Sequence, residues 1–309
     1  MVKKLISLSF IKKSILLLVF LPALWACEDI IDLKTEKGPP LLVVDGWITN
    51  QPGPQEIRLT TSSAYFDNTP APPVLGAEVR VEDDLGNIYH FNDENSKGVY
   101  RWEPSQPDSA LGAIGRSYTL FISHGGDEYT AENQIKRVPP IDSLVFTHES
   151  WPFQPEEGPK DGFIAEFFAR DFEGPGDCYW IKPLRDGKLF KNNPVFISIA
   201  YDAAYSKESA IDGLIFIQPL RQSLTLGVLL EDNELVGVEL HSINEEAFDF
   251  LRQIRTESSN GGLFAVPSSN IPTNIKGANG KKALGFFGAS AVSKMEQRVD
   301  AAKARPKVR

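Results

Sequence analysis

Short runs of alternating apolar and polar residues, separated by turn-forming residues, fill the first half of the chain. A period of two is typical of a strand with one buried face. Such runs lie at 41–49, 56–60, 78–82, 88–91, 98–102, 117–123 and 128–131. Residues 83–87 and 124–127 have the composition of hairpin turns. Because no helical period interrupts these runs, the pattern predicts a mainly β fold that starts with an immunoglobulin-like β-sandwich over residues 41–138.

Consecutive prolines at 139 and 140 indicate a boundary, because proline donates no ladder hydrogen bond. Beyond it the pattern predicts a second β-rich domain over residues 141–293. Its strands are predicted at 143–147, 163–169, 178–184, 195–200, 213–219, 224–230, 234–240 and 284–292. Residues 294–309 are rich in lysine and arginine and are predicted to be a frayed basic tail. Contact of this tail with anionic lipid is the alternative.

One segment of the second domain has a helical period instead. Apolar residues recur at helical spacing at positions 247, 248, 251 and 254. Ser242 and Glu245 fit a capping box at the start, and Gly261 follows as a stop signal. The pattern predicts an amphipathic helix over about 243–258. Its apolar face is expected to cover the sheet of the second domain, and docking of a partner is the alternative.

The first 26 residues have the layout of a secretory signal peptide. Lysines precede the apolar run at 15–21, and small or apolar residues follow it up to Ala26. Residues 24–27 (LWAC) resemble the lipobox of bacterial lipoproteins, although a tryptophan replaces the usual small residue before Ala26. The sequence therefore predicts cleavage before Cys27, lipidation of its thiol, and a tether over residues 27–40. A plain secretory peptide with a buried cysteine nearby is the alternative.

The net charge of the chain is −9, and it is unevenly distributed. Without the leader and the tail, residues 27–293 carry 22 basic and 39 acidic side chains, a net charge of −17. A surface this acidic repels phosphate backbones, so nucleic acid is not an expected partner.

Motifs for known catalytic chemistry are sparse in the sequence. The four histidines (His90, His124, His148 and His241) are isolated from one another, and no nucleophile elbow, P-loop or dinucleotide fingerprint occurs. His90 and His241 are expected to be half-exposed structural residues, and residues 93–98 a hairpin turn. Cys178 lies in a strand-like run and is expected to be a small buried hydrophobe. No catalytic residue, cofactor or metal is predicted, while a zinc site from distant residues and a glycosidase pair of scattered carboxylates stay open.

Aromatic residues are the other candidates for binding. Trp151 and Phe153 lie in an acidic, proline-rich loop, where they can stack on a sugar ring or a partner. Trp47, Trp102 and Trp180 lie within strand runs and are predicted to be core residues.

Several motifs in order along the chain resemble a known family. They are LVVDGWITN at 42–50, GAEV at 76–79, VPPIDS at 138–143, GGLF at 261–264, NI at 274–275 and LGFFGAS at 284–290. In this order they resemble the lipoproteins of Bacteroidota that contain the domain of unknown function numbered forty-two forty-nine. The resemblance covers residues from about 27 to 300, nearly the whole mature chain.

The resemblance implies a location and a partner rather than a chemistry. Such lipoproteins are typically encoded beside TonB-dependent outer-membrane receptors and look like accessory proteins in nutrient uptake. Glu28 and Asp29, directly after Cys27, resemble the signal that exports a lipoprotein to the cell surface. The hypothesis is therefore a non-enzymatic, surface-exposed outer-membrane lipoprotein that assists or caps a TonB-dependent receptor barrel. A stand-alone glycan- or peptide-binding module is the alternative, and a secreted hydrolase is the third hypothesis.

Overall fold

The structure is a computed structural model that describes residues 38–64, 67, 69–209, 211–261 and 265–307. The predicted leader, Cys27, Glu28 and Asp29 lie outside the described residues. Residues Pro40–Arg309 form one compact unit, inside which the predicted boundary at 138–141 falls. The fold is mainly β, as the sequence predicts. In the described ranges, no helix is long and apolar enough to cross a membrane.

The elements follow one another along the chain as short strands with two α-helices late in the described part. The strands are β1 (Leu42–Thr49), β2 (Gln55–Thr61), β3 (Glu78–Asp83), β4 (Ile88–Phe91), β5 (Val99–Trp102), β6 (Ser117–His124), β7 (Asp127–Gln134), β8 (Ile141–Ser150), β9 (Asp161–Ala169), β10 (Cys178–Arg185), β11 (Lys188–Leu189), β12 (Ser198–Tyr201), β13 (Leu235–Ile243), β14 (Lys276–Gly277), β15 (Ala283–Ser290) and β16 (Val292–Arg298). The α-helices are α1 (Gln218–Arg221) and α2 (Glu245–Ser259).

Two sheets form the predicted β-sandwich. One has the strand order β15-β1-β2-β5 and the other β14-β7-β6-β3-β4. Alternate residues of each strand point inward, and Ile48, Ile57, Leu59 and Val81 are completely buried between the sheets. The seven strands predicted in this region are all present, and the turns at 83–87 and 124–127 close hairpins. Strands β14 and β15 come from much later in the chain, so the sandwich is completed by segments that the local pattern assigns to the second domain.

Strand β15 pairs with β1 in parallel, and two glycines make this close approach possible. Gly285 has φ of +89°, and a Cβ atom there would lie 1.9 Å from the carbonyl oxygen of Val44. A Cβ atom on Gly288 would lie 2.0 Å from the ring of Trp47. The LGFFGAS motif therefore contains the residues that let β15 lie flat against β1 and let Trp47 cover β15.

The second half contains the sheet β11-β10-β13-β16, with β12 on β10, and the hairpin β8–β9. Its core includes Phe167, Tyr179, Phe216 and Val238. The strands predicted at 213–219 and 224–230 are wrong, because turns and irregular backbone make up most of both runs and residues 218–224 form α1 and a 3₁₀ helix, Gln222–Leu224. Pro219 stands in the first turn of α1, where its fixed φ favours a helix over a strand. The run predicted as a strand at 195–200 begins with a 3₁₀ turn and is a strand only from Ser198.

The predicted frayed tail is also wrong over the described residues. Residues 294–298 belong to β16, which pairs with β13. Further on, the backbone N–H of Arg305 donates to the carbonyl of Phe146 (2.9 Å), and that of His148 donates to the carbonyl of Arg305 (2.8 Å). In β16 the partly buried Ser293 and Met295 alternate with the exposed Lys294 and Glu296, and composition alone hides this alternation.

Helix α2 is present where it is predicted, but its cap differs. Asn244 is the N-cap, and its side chain accepts a hydrogen bond from the backbone N–H of Ala247 (2.9 Å). Ser242, the predicted cap, lies within β13 instead, where its hydroxyl donates to the carbonyl of Lys136 (2.8 Å) and accepts from the backbone N–H of Ala291 (2.9 Å). The apolar face of α2 packs on β10 and β12 of the second half and also reaches Phe286 of β15.

Candidate functional site

A cleft of about 1150 Å³ lies where the outward face of β1 and β15 meets β10. Alternation along β1 places Val43, Asp45 and Trp47 on this outward face, while their neighbours enter the sandwich core. Helix α2 and the loops at 189–197 and 269–273 form the other walls. A cleft of this size and largely apolar lining is the usual form of a small-molecule binding site.

Aromatic rings form a continuous cluster along the cleft. The ring of Trp47 meets that of Trp180 edge to face, with 5.1 Å between centroids, and stacks on Phe286 at 5.7 Å. Phe250 of α2 stacks on the other side of Phe286 at 4.8 Å. Trp47 and Trp180 are thus only partly buried and line the cleft, whereas the sequence predicts both as core residues. Trp102 is also partly buried, at the edge of the sandwich core.

Lys182 brings a positive charge to the floor of this cleft. Two residues after Trp180 on β10, it points to the same side, and its Nζ lies 3.8 Å from the centroid of the Trp180 ring. Protein atoms crowd its ammonium and lower the pKa of Lys182 to about 8, against the opposing effect of the carboxylates of Glu239 and Asp45. Among the described residues, its ammonium has no hydrogen-bond or ion-pair partner.

Four more lysines line the rim. Lys191 pairs with Glu157 (2.8 Å), and Lys281 pairs with Asp127. Lys276 and Lys282 are exposed and form no ion pair within the described part of the chain. Asp45 is the single carboxylate among the described lining residues. The cleft is therefore a cationic surface on a chain whose net charge is −9.

His241 lies behind Trp180, opposite it in the β10–β13 register. It is buried, at 5% exposure, so the expectation of a half-exposed residue is wrong for His241. His90 is exposed rather than half-exposed. Burial, together with the nearby charge of Lys182, lowers the pKa of His241 to about 4, and its Nε2 lies 3.1 Å from Oε2 of Glu239. His241 is neutral at physiological pH and supports the wall of the cleft.

Trp151 and Phe153, the predicted contact residues, lie outside the cleft. Phe153 is 81% exposed, whereas Trp151 is partly buried and its backbone N–H donates to the carbonyl of Lys160 (2.9 Å). An ion pair of Glu157 with Lys191 (2.8 Å) joins their loop to the rim. The two candidates are thus not brought together with the aromatic residues of the cleft.

Cys178 is buried, as the sequence predicts, and burial raises the pKa of its thiol to about 12. A thiol with this pKa is protonated at neutral pH, which suits a packing role. The predicted turn at 93–98 is confirmed, because the Asp93 carboxylate accepts from the backbone N–H groups of Lys97 (3.0 Å) and Gly98 (2.7 Å).

One group of carboxylates elsewhere has the spacing of a cation site. Oxygens of Asp171, Asp202 and Asp212 lie within 4.8 Å of one another. Such oxygen ligands suit a hard cation such as Ca²⁺. The group also has internal partners, because the Tyr179 hydroxyl donates to Asp171 (2.5 Å) and the Gly176 N–H donates to Asp202 (2.8 Å). Burial raises the pKa of Asp171. Through such hydrogen bonds the three carboxylates hold loops of the second half together, which accounts for their proximity.

Comparison with known proteins places the chain in a family. The model of the domain of unknown function DUF4249 matches residues 28–296, so the chain belongs to this family. No curated protein matches the chain in sequence. The LVVDGWITN, NI and LGFFGAS motifs that suggest the family all meet at the β1–β15 pair. There the Asn274 side chain donates to the carbonyl of Phe287 (2.8 Å) and accepts from its N–H (3.0 Å).

The sequence misses this site for a physical reason. Its walls come from residues 41–47, 180–197, 250–254 and 269–286, which no local pattern joins. The sequence of β1 does contain one sign of a covered outer face. Val43 and Trp47 occupy positions that alternate with the core residues of this strand. Apolar side chains on both faces of a strand indicate that the second face is covered too.

Proposed function

We propose that this protein is a non-enzymatic binding protein that holds an organic ligand in the cleft between β1, β15 and β10. The proposal rests on one observation, the 1150 Å³ cleft lined by partly exposed aromatic and aliphatic side chains. Stacking on Trp47 and Trp180 and burial of apolar surface supply affinity without any bond being made or broken. A glycosidase needs two facing carboxylates, and the described lining offers only Asp45.

We infer the cellular setting from the sequence. The leader, Cys27 and the acidic residues Glu28 and Asp29 support a lipid-anchored protein on the outer face of the outer membrane. The association of similar lipoproteins with TonB-dependent receptors supports a receptor barrel as the partner that takes up the ligand. In this proposal the cleft captures the ligand and the anchor keeps it beside the receptor.

A second candidate is a stand-alone glycan- or peptide-binding module. The observation that favours it is the 81% exposure of Phe153, because an exposed aromatic ring in a loop is a common contact residue. In this case binding depends on the loop around Trp151 and not on the cleft.

The test uses residues 28–309, which contain the compact unit, and the neutral fluorescent probe N-phenyl-1-naphthylamine. Leu284 is 38% exposed on the cleft wall, so Leu284→Trp fills the cleft from a position that tolerates a larger side chain. We expect this variant to weaken probe binding by roughly tenfold or more, as measured by fluorescence titration. The matched control is Leu85→Trp, at a 74% exposed position in the 83–87 turn, and it should bind as the parent does.

Equal binding by both variants would place the probe outside the cleft and overturn the proposed site. Loss of binding in a Phe153→Ala variant, with Leu284→Trp unaffected, would support the second candidate instead.

A further inference from the structure

We propose that the ligand of the cleft is an organic anion with an apolar, ring-containing body, and that the ammonium of Lys182 meets its negative charge. This inference rests on the proposed function and names the chemical class of the ligand.

Within the described chain, the ammonium of Lys182 lies against an aromatic ring and not against a carboxylate. It contacts the face of Trp180, and no carboxylate in the described ranges lies within ion-pair distance of it. Glu239, which faces Lys182 across the β10–β13 register, contacts His241 (3.1 Å) and Lys294 (3.7 Å) instead. A crowded ammonium without a partner is costly, and an anion in the cleft would remove this cost.

Most of the charged side chains that line the cleft are lysines. Lys182 at the floor and the rim lysines Lys191, Lys276, Lys281 and Lys282 stand against Asp45 alone among the described lining residues. Two of the rim lysines are paired with acids from other loops, which leaves Lys276 and Lys282 to attract a ligand. An acidic protein that concentrates lysines in one cleft has a field there that favours anions over cations.

Aromatic and aliphatic side chains form the walls of the cleft around Lys182. Trp180 lies next to the ammonium and Trp47 contacts the Trp180 ring, while Phe196 and Ile271 are exposed apolar side chains of the lining. A ring placed on these side chains brings a carboxylate attached to it within reach of Lys182. A small inorganic anion would pair with the Lys182 ammonium but would not contact the aromatic rings. A neutral ring compound would contact the rings but would not pair with the ammonium.

The test compares 2-naphthoate with 2-naphthamide, which share a ring body and differ in charge, by calorimetric titration of residues 28–309. We expect naphthoate to bind roughly tenfold or more tightly, the gain typical of a hydrogen bond to a charged group. Lys182→Met keeps the apolar stem and removes the charge, so it should abolish the preference for naphthoate over naphthamide. Lys182→Gln serves as a second variant if the first does not fold, as checked by circular dichroism.

The matched control is Lys97→Met, an exposed lysine in the 93–98 turn, which should retain the preference for naphthoate. Equal binding of the two probes by the parent chain would overturn the inference and leave the proposed function standing. A preference that survives in Lys182→Met would overturn the role of Lys182 and assign the charge to the rim. If neither naphthyl probe binds, the inference is overturned, and if N-phenyl-1-naphthylamine does not bind either, the proposed function fails as well.

Discussion

His241 couples the wall of the cleft to pH. Its side chain is buried against Trp180, with 6.1 Å between ring centroids, and its pKa is lowered to about 4. In the unfolded chain the pKa of histidine is about 6.5. As the pH falls from 6.5 toward 4, the unfolded chain therefore binds a proton that the folded chain does not, and stability is lost.

The prediction is that His241→Gln reduces the loss of stability on acidification. Glutamine keeps an N–H donor for Glu239 and does not titrate. Between pH 7 and pH 4.5 the parent should lose about 2 kcal/mol more of its free energy of unfolding than the variant, as measured by urea denaturation. Parallel pH profiles for the two chains would contradict the assignment of this loss to His241.

The β1–β15 pair belongs to the sandwich and also forms a wall of the cleft. Gly288 of β15 has ordinary backbone angles, and the ring of Trp47 occupies the space that a Cβ atom would need. Trp47 cannot easily move away, because Phe286 and Trp180 hold its ring from two sides. The glycine is required by packing rather than by conformation.

Gly288→Ala should therefore lower the free energy of unfolding by about 1–3 kcal/mol, the usual cost of overpacking. Gly261→Ala is the matched control, since that glycine also has ordinary φ and its added Cβ would meet open space. It should change stability by less than about 0.5 kcal/mol in the same urea experiment. A Gly288→Ala variant as stable as this control would show that Trp47 moves at little cost.

The same elements show which parts of the fold a sequence can predict. Strands β1 to β7 follow from alternation and turn residues, because each buries one face against the partner sheet. The run at 213–230 contains many apolar residues without alternation, so the pattern does not separate a strand from turns and a short helix, and Pro219 favours α1 at its centre. The pairing of β15 with β1 joins residues more than 200 positions apart, and no local pattern specifies such a contact.

The cleft exists only because the last third of the chain returns to pair with the first strand. Motif order along the chain predicts the family, which the match over residues 28–296 confirms. It does not predict the cleft, because Trp47, Trp180 and Lys182 become neighbours only when two sheets meet. The predicted tail also takes part in this packing. Its strand β16 pairs with β13, which in turn pairs with β10 in the wall of the cleft.

In the proposed function, Cys27 determines where in the cell the protein is located. With the acyl chains of a lipoprotein anchor, the protein should stay in outer membranes, because two or more chains bind far more persistently than one. Affinity purification from detergent-solubilised outer membranes should then recover a TonB-dependent receptor barrel with the parent chain. Cys27→Ser removes the acylated thiol and should move the protein into the soluble fraction without changing binding of N-phenyl-1-naphthylamine in the cleft. Unchanged fractionation of this variant would refute the anchor, and a monomeric parent chain without a barrel would refute the receptor partnership while leaving the cleft to act alone.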